Sequence, residues 1–186
     1  MSFQTHKVKF TYEDYLLFPD DGKRHELIDG EHFMTPAPST KHQRILGSLH
    51  LAFGNFLKQH KLGEVFVAPY DVVLSDLDVV EPDLLFVSSS RSSIVTEKNI
   101  QGAPDLVIEI FSESTRKTDE IIKRKLYEQH GVPEYWIVDP ELQMVKIYRT
   151  TDQGYTRTAE LNREANDTLA TPLLPGFQIS LSEIFE

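Results

Sequence analysis

Cysteine is absent from the 186 residues, and so are long apolar runs. Without cysteine the chain can form neither disulfides nor a thiolate-based zinc site. The opening stretch MSFQTHKVKFTYEDYLLFPDDGK contains no apolar segment of signal-peptide length, and no window approaches the roughly 20 apolar residues of a membrane span. We therefore expect a soluble, cytoplasmic protein that does not cross a membrane.

Positive charge is scarce as well. Nineteen lysines and arginines stand against 29 aspartates and glutamates, which gives a formal net charge of −10. Because phosphate contacts supply most non-specific affinity for nucleic acid, a negative body argues against an abundant, stably bound chromatin-type protein. It does not exclude an enzyme that acts on nucleic acid through a local site, because a metal-dependent nuclease needs an acidic cluster of its own.

Several motifs of familiar enzyme classes are missing. The chain has no GxxxxGK[ST] phosphate loop, no GxGxxG dinucleotide motif, no GxSxG nucleophile elbow and no HExxH zinc motif. A pair of carboxylates could serve a glycosidase, but nothing beside the carboxylates indicates an aromatic sugar platform. These absences leave metal-assisted chemistry on carboxylates as the main alternative to a binding module.

The pattern that remains predicts one α/β domain spanning residues 1–186. A short helix is expected over 11–18, and a β-hairpin turns at Asp29-Gly30. Apolar residues at helical spacing predict an amphipathic helix over about 40–60, with its exit at Gly63. Buried strands, a second hairpin and a closing helical turn follow, which favours a mixed sheet flanked by helices.

A further helix is expected between the strand APDLVIEIF and Gly131, with Ser114 or Thr115 as its cap. Its buried side is predicted to carry Ile122, Leu126 and Tyr127. A basic cluster on and before this helix is the best candidate for contact with phosphate, since helix N-termini favour anions. The cluster comprises Arg116, Lys117, Lys123, Arg124 and Lys125.

Two predicted buried strands carry carboxylates. Asp83 opens the apolar run of VVEPDLLFV, and Glu109 lies inside APDLVIEIF on the face opposite Leu106 and Ile108. A buried carboxylate is costly unless positive charge faces it, so both residues are explained if they meet at one cation. Their oxygens suit Mg²⁺ or Mn²⁺. The alternative for each is a partly exposed carboxylate paired with a lysine.

Other candidates have weaker signals. Lys123 could stabilise charge on a phosphate or position a water, but its i, i+4 spacing from Asp119 equally fits a surface ion pair. Glu26 could be a further ligand or a water-orienting group, or a cross-strand partner of Arg24 or another base. His25, His42 and Glu64 have still less support, because an isolated histidine is more often structural.

Six blocks then resemble, in order, those of the bacterial Uma-family endonucleases of the PD-(D/E)XK restriction-endonuclease-like superfamily. The resemblance runs from about residue 11 to the C-terminus. The blocks are HELIDGE, KHQRILGSL, EPDLLFV, GAPDLVIEIFSEST, DEIIKRKLYEQHGVPEYWIVDP and LLPGF.

This resemblance implies a restriction-endonuclease-like fold, with a mixed central sheet, flanking helices and β-hairpin additions. It assigns Asp83 and Glu109 as metal ligands and Glu26 as a further acidic site residue. Phe111 departs from the family signature, which has lysine at that position. Some members of the superfamily supply this lysine from the following helix, where Lys123 stands.

The implied reaction is Mg²⁺- or Mn²⁺-dependent hydrolysis of phosphodiester bonds, with DNA as the expected partner. A symmetric homodimer is expected, because it is the simplest way to cut both strands of a duplex. The competing interpretation is a nucleic-acid-binding or interaction module that has kept the fold and lost the reaction. The net charge and the displaced lysine favour that alternative.

Overall fold

A computed structural model describes residues 8–112, 116 and 118–186. Its helices are α1 Tyr12–Tyr15, α2 Thr40–His60, a 3₁₀ helix Ser89–Ile94, a π-helix Thr118–Lys123, α3 Arg124–Gln129 and α4 Leu181–Ile184. Its strands are β1 Arg24–Ile28, β2 Glu31–Thr35, β3 Gly63–Val67, β4 Val72–Ser75, β5 Asp78–Val80, β6 Leu84–Ser88, β7 Ile100–Gln101, β8 Leu106–Ile110, β9 Glu134–Asp139, β10 Met144–Thr151, β11 Gly154–Asn162, β12 Thr168–Ala170 and β13 Gln178–Ser180. Within these ranges no helix has the length and apolar character needed to cross a membrane.

Helix α2 confirms the amphipathic helix predicted over 40–60. It begins where the Ser39 side chain accepts a hydrogen bond from the backbone N–H of His42. It ends at Lys61, which takes the left-handed conformation with φ 49°, so the predicted exit at Gly63 is wrong. Its buried residues are His42, Ile45, Leu46, Leu49, Phe53 and Leu57.

The predicted hairpin at Asp29-Gly30 is also confirmed. Ile28 pairs with Glu31 across a two-residue loop, and Asp29 and Gly30 have φ values of 51° and 70°. Two successive positive φ values are the mark of a type I′ turn, whose twist matches that of the flanking strands. The turn fixes the register of β1, and therefore which face of the strand Glu26 occupies.

The central sheet has six strands in the order β11-β10-β9-β8-β6-β3. Strands β8 and β9 run parallel, whereas β6 and β8 run antiparallel, so the sheet is mixed as predicted. The first hairpin belongs to a second sheet of five strands, in the order β2-β1-β5-β4-β7. The stretch 79–87 thus contains most of β5, in the second sheet, and most of β6, in the central sheet. Glu81, Pro82 and Asp83 connect the two strands where the chain crosses from one sheet to the other.

The core lies on both faces of the central sheet. On one face Leu106, Ile108 and Ile110 of β8 pack with α2 and the C-terminal segment. On the other face Val107 and Phe111 pack with the second sheet and α3. Glu109 shares this second face, as its alternation with Val107 and Phe111 predicts.

The helix after β8 differs from its prediction. Its first described turns form a π-helix, and the proposed caps Ser114 and Thr115 lie outside the described residues. Leu126 and Tyr127 are buried as expected, but Ile122 is 36% exposed, so its placement on the buried side is wrong. Asp119 and Lys123 are buried instead. The helix therefore turns charged side chains toward the sheet.

Candidate active site

Asp83 and Glu109 come together through the ladder between β6 and β8. Leu84 pairs with Ile108 in antiparallel register, so one step beyond the ladder Asp83 comes opposite Glu109. The backbone N–H of Ile110 donates a hydrogen bond of 2.8 Å to Oδ2 of Asp83. Antiparallel pairing thus places the start of one strand beside the end of the other. The two carboxylates lie at the same end of the sheet.

Asp83 is buried and is contacted on both oxygens. Its Oδ1 accepts from Nη1 of Arg24 at 2.8 Å, and its Oδ2 lies 3.0 Å from Nε2 of His42. Burial opposes ionisation, but the hydrogen bond from His42 and the charge of Arg24 together hold the pKa of Asp83 below its ordinary value. Asp83 is therefore a carboxylate at neutral pH.

Glu109 shares one oxygen between two donors. Its Oε1 accepts from Nζ of Lys123 at 3.0 Å and from the hydroxyl of Tyr127 at 2.7 Å. Burial is the main cause that raises the pKa of Glu109, to about 8, against the opposing charge of Lys123. Near neutral pH this site can hold a proton that a cation would displace.

Lys123 lies among three carboxylates. Its Nζ is 2.8 Å from Oε1 of Glu26, 3.0 Å from Oε1 of Glu109 and 3.8 Å from Oδ1 of Asp119. Burial alone would lower the pKa of Lys123, but these carboxylates raise it well above the ordinary value. The Asp119–Lys123 pair exists, yet its interpretation as a surface pair is wrong, because both side chains are buried.

Glu26 is held from two sides. Its Oε1 accepts from Lys123 and, at 2.9 Å, from the backbone N–H of Glu81 at the crossing between the sheets. Its basic partner is Lys123, while Arg24 turns to Asp83. The type I′ hairpin and the pairing of Leu27 with Val79 place β1 beside this crossing.

A cavity of about 360 Å³ opens onto this cluster. Asp83, Glu109 and Lys123 all contribute to its wall, together with Arg24 and His42. Glu26 does not line it, so its contacts reach the cavity through Lys123. Cationic and anionic side chains thus face one space that is large enough for a phosphate group and several waters.

The predicted basic cluster does not form one phosphate-facing surface. Arg116 pairs with Asp139 at 2.5 Å, and the guanidinium of Arg124 lies 5.4 Å from the centre of the Tyr148 ring. Lys123 alone among the described members of the cluster lines the cavity. Lys117 lies outside the described residues.

Sequence reasoning gave three neighbours of the site too little weight: His42, Arg24 and Tyr127. His42 was only a weak candidate, although it lies three and four residues before Ile45 and Leu46, on the apolar stripe of α2. This spacing was the available signal that His42 is buried. Arg24 and Tyr127 had no such signal, because their partners are distant in sequence. His25 stacks on His32 and Glu64 is exposed, and neither lines this cavity.

Asp83 and Glu109 are the residues that could hold a divalent cation. In the described part of the chain no group of three or more histidine and carboxylate side chains is arranged to bind a metal. Mg²⁺, however, commonly takes one or two protein carboxylates and completes its octahedron with water and substrate oxygens. The oxygen chemistry of this pair fits that requirement.

Comparison with known proteins agrees with the fold. The chain is similar to the crystal structure of a putative nuclease belonging to DUF820 from Anabaena variabilis ATCC 29413, with a TM-score of 0.79 and 22% identity over 95% of this chain and 97% of that one. A search of curated proteins gave no significant match. A family model described as "Putative restriction endonuclease" matches residues 12–182. The chain therefore belongs to the Uma2 family.

Proposed function

We propose that the protein is a metal-dependent endonuclease that hydrolyses phosphodiester bonds, with DNA as its substrate and the whole chain as one domain. The observation that carries the proposal is that Asp83, Glu109 and Lys123 line one cavity, with Glu26 in contact with Lys123. Family membership and the nuclease-like fold support the same activity.

The charge balance of the network supports a divalent cation. Three carboxylates surround the single ammonium group of Lys123, and burial strengthens the repulsion between them. Arg24 is paired with Asp83, so it does not offset this excess of negative charge. A bound dication next to Asp83 and Glu109 would offset it.

Each residue then has a defined task. Bound Mg²⁺ or Mn²⁺ would stabilise charge on the phosphate and acidify a water molecule. Asp83, oriented by His42 and by the N–H of Ile110, would hold the cation together with Glu109. Lys123 presents its ammonium group to a phosphate oxygen or to the attacking water. Glu26 holds Lys123 in place.

Cutting both strands of a duplex requires two such sites. We propose a homodimer with one site per chain, because two-fold symmetry matches the two strands of DNA. Sedimentation of the protein with and without a DNA duplex tests this assembly. A monomer that makes double-strand breaks at the same rate at all protein concentrations would contradict it.

The decisive test is cleavage of DNA and RNA substrates in Mg²⁺ or Mn²⁺ by matched variants. Asp83→Asn and Glu109→Gln should each reduce cleavage at least a thousandfold, because each removes a cation ligand. Asp105→Asn is the control, since Asp105 is also a buried aspartate beside β8 but lines neither this cavity nor its larger neighbour. Equal cleavage by Asp83→Asn and Asp105→Asn would refute the proposed site.

A second candidate, a binding module without catalysis, is favoured by one observation. Arg24 and Lys123 already neutralise an oxygen of each proposed ligand. Calorimetric titration with Mg²⁺ and Mn²⁺ separates the two functions. The nuclease requires metal binding that Asp83→Asn weakens, whereas the module predicts none at millimolar metal together with no cleavage.

A further inference from the structure

A second, larger cavity of about 640 Å³ adjoins the candidate active site and is open to solvent on one side. It shares Arg24, His42 and Asp83 with the smaller cavity. Its volume lies within the range of roughly 300–1,000 Å³ that is typical of small-molecule sites. A group bound there would be next to whatever occupies the candidate active site.

Aromatic rings form part of the wall of this larger cavity. The hydroxyl of Tyr15 donates to Asp71 at 2.7 Å, and its ring packs against Phe18 with centroids 5.7 Å apart. Tyr70 also lines the cavity and stacks on Phe66 at 5.1 Å. Because their neighbours hold these rings in place, they offer preformed surfaces on which a planar group can stack.

Two buried side chains in the wall each have one unpaired polar atom. Within the described residues, Oε2 of Glu81 and Nδ1 of His42 have no hydrogen-bond partner. Both side chains are more than nine-tenths buried. Nε2 of His42 lies 3.0 Å from Oδ2 of Asp83. An unpaired buried carboxylate oxygen is costly, so Oε2 of Glu81 favours a ligand that carries N–H donors.

We propose that the larger cavity binds an unstacked nucleobase from the nucleotide beside the scissile phosphate. The inference rests on the proposed nuclease function and names how its substrate is held. Tyr15, Phe18 and Tyr70 provide ring faces, and Glu81 accepts a hydrogen bond from the edge of the base. Enzymes that act on nucleic acid can pay for unstacking a base through such contacts.

The chemistry of the cavity wall also predicts which bases bind most tightly. Stacking is tolerant of sequence, because every base has a π face. A carboxylate acceptor adds preference for a donor-rich edge. Guanine, with adjacent N1–H and N2–H donors, should bind best. Thymine, whose single N3–H lies between two carbonyl groups, should bind worst.

The first experimental arm needs no cleavage. The 5′-monophosphates of the four deoxynucleosides, and deoxyribose 5-phosphate without a base, are titrated into the protein by calorimetry. We expect dGMP to bind at least tenfold more tightly than the phosphate without a base. Tyr70→Ala should weaken dGMP about tenfold, and Tyr70→Phe, which keeps the ring, should not. Glu81→Gln should reduce the preference for dGMP over dTMP.

Equal affinity for dGMP and deoxyribose phosphate would overturn the proposal, as would an unchanged affinity in Tyr70→Ala. This result is independent of the nuclease test. Cleavage that is lost in Asp83→Asn, together with no preference for a base, would leave the nuclease function intact and remove the base site. Base binding without any cleavage would remove the nuclease function.

The second arm distinguishes a base in a strand from a free nucleotide. An oligonucleotide with one abasic position is cut, and every product is mapped on a sequencing gel. Cleavage at the phosphate beside the abasic position should fall at least tenfold, while cleavage elsewhere on the same strand serves as the internal control. Unchanged cutting at the abasic position would overturn the proposal for the substrate strand.

Discussion

The two faces of the central sheet are built from opposite kinds of chemistry. On the α2 face, β8 contributes Leu106, Ile108 and Ile110 to an apolar core. On the other face, the same strand places Glu109 in contact with the buried Lys123. Neighbouring residues of one strand therefore lie in two different environments, an apolar core and a buried ionic cluster.

The difference indicates that stability alone can account for the apolar residues on the α2 face but not for the charged residues on the other face. An apolar core gains free energy from burial, whereas a buried ionic cluster roughly breaks even, and well-packed apolar replacements are often neutral or stabilising. Stability therefore does not explain three carboxylates around one lysine. The proposed function would explain them. The predictions that follow test this contrast between the faces.

Removing Lys123 should have the largest effect. Lys123→Met leaves Glu26 and Glu109 buried without their cation, so we expect a loss of about 3–5 kcal/mol in the free energy of unfolding, together with loss of cleavage. Chemical denaturation at pH 7 measures the first quantity. Ile108→Ala on the other face is the control, with a loss of about 2–5 kcal/mol and cleavage retained. A Lys123→Met variant as stable as the wild type would contradict the contrast.

Metal affinity should depend on pH through Glu109. Because burial raises the pKa of Glu109 to about 8, a proton must leave this carboxylate before a cation can bind at lower pH. The affinity for Mg²⁺ should therefore rise about tenfold per pH unit well below pH 8 and about fiftyfold in all between pH 6 and pH 8. Calorimetry at several pH values measures it. A flat profile would show that Glu109 does not bind the metal.

A double-mutant cycle compares coupling within and between the faces. Lys123→Met and Glu109→Gln should show an interaction energy of about 2 kcal/mol, because their side chains are in direct contact. Lys123→Met and Ile108→Ala should be additive within about 0.5 kcal/mol, because the sheet separates them. Denaturation of the single and double variants gives both values. Coupling of equal size in the two cycles would show that the faces are not independent.

Glu81→Gln should change stability in the opposite direction, as a gain at high pH. Burial raises the pKa of Glu81 from its ordinary 4.5 to about 7, so folding favours the protonated form. The wild type therefore loses stability as the pH rises from about 4.5 to about 7, and neutral glutamine does not. We expect equal stabilities at pH 4 and an advantage of up to about 3 kcal/mol for the variant at pH 8. Thermal unfolding at both pH values measures the difference.

The sequence predicts the parts of the fold that local chemistry determines. The Asp29-Gly30 turn, helix α2 and the buried strand around Glu109 follow from turn type, helical spacing and strand alternation. The exit of α2 could not be predicted, because Lys61 takes the left-handed position where glycine is the usual residue. The exposure of Ile122 was missed because a π-helix is invisible to a 3.6-residue period.

The candidate site is only partly accessible to such reasoning. Two carboxylates at buried strands predict one cation shared by Asp83 and Glu109, and that shared metal stays a prediction. The side chains that face them are two different cations, Arg24 at Asp83 and Lys123 at Glu109. Which cation faces each depends on contacts between distant segments. Arg24 reaches Asp83 across 59 positions, and Lys123 reaches Glu26 across 97. Spacing along the chain contains no information about such pairs, so only the resemblance to a family could suggest a role for Lys123.

The antiparallel pairing of β6 and β8 has a consequence for how this chain can change. The connection between the two strands leaves from the end opposite Asp83 and Glu109, and it contains a 3₁₀ helix and the short strand β7. Lengthening it at an exposed position such as Ser90 would not shift the two carboxylates relative to each other. Entropy of closure grows only slowly with loop length. This connection is therefore the place where a tag or an additional recognition module can be grafted while the ladder stays in register.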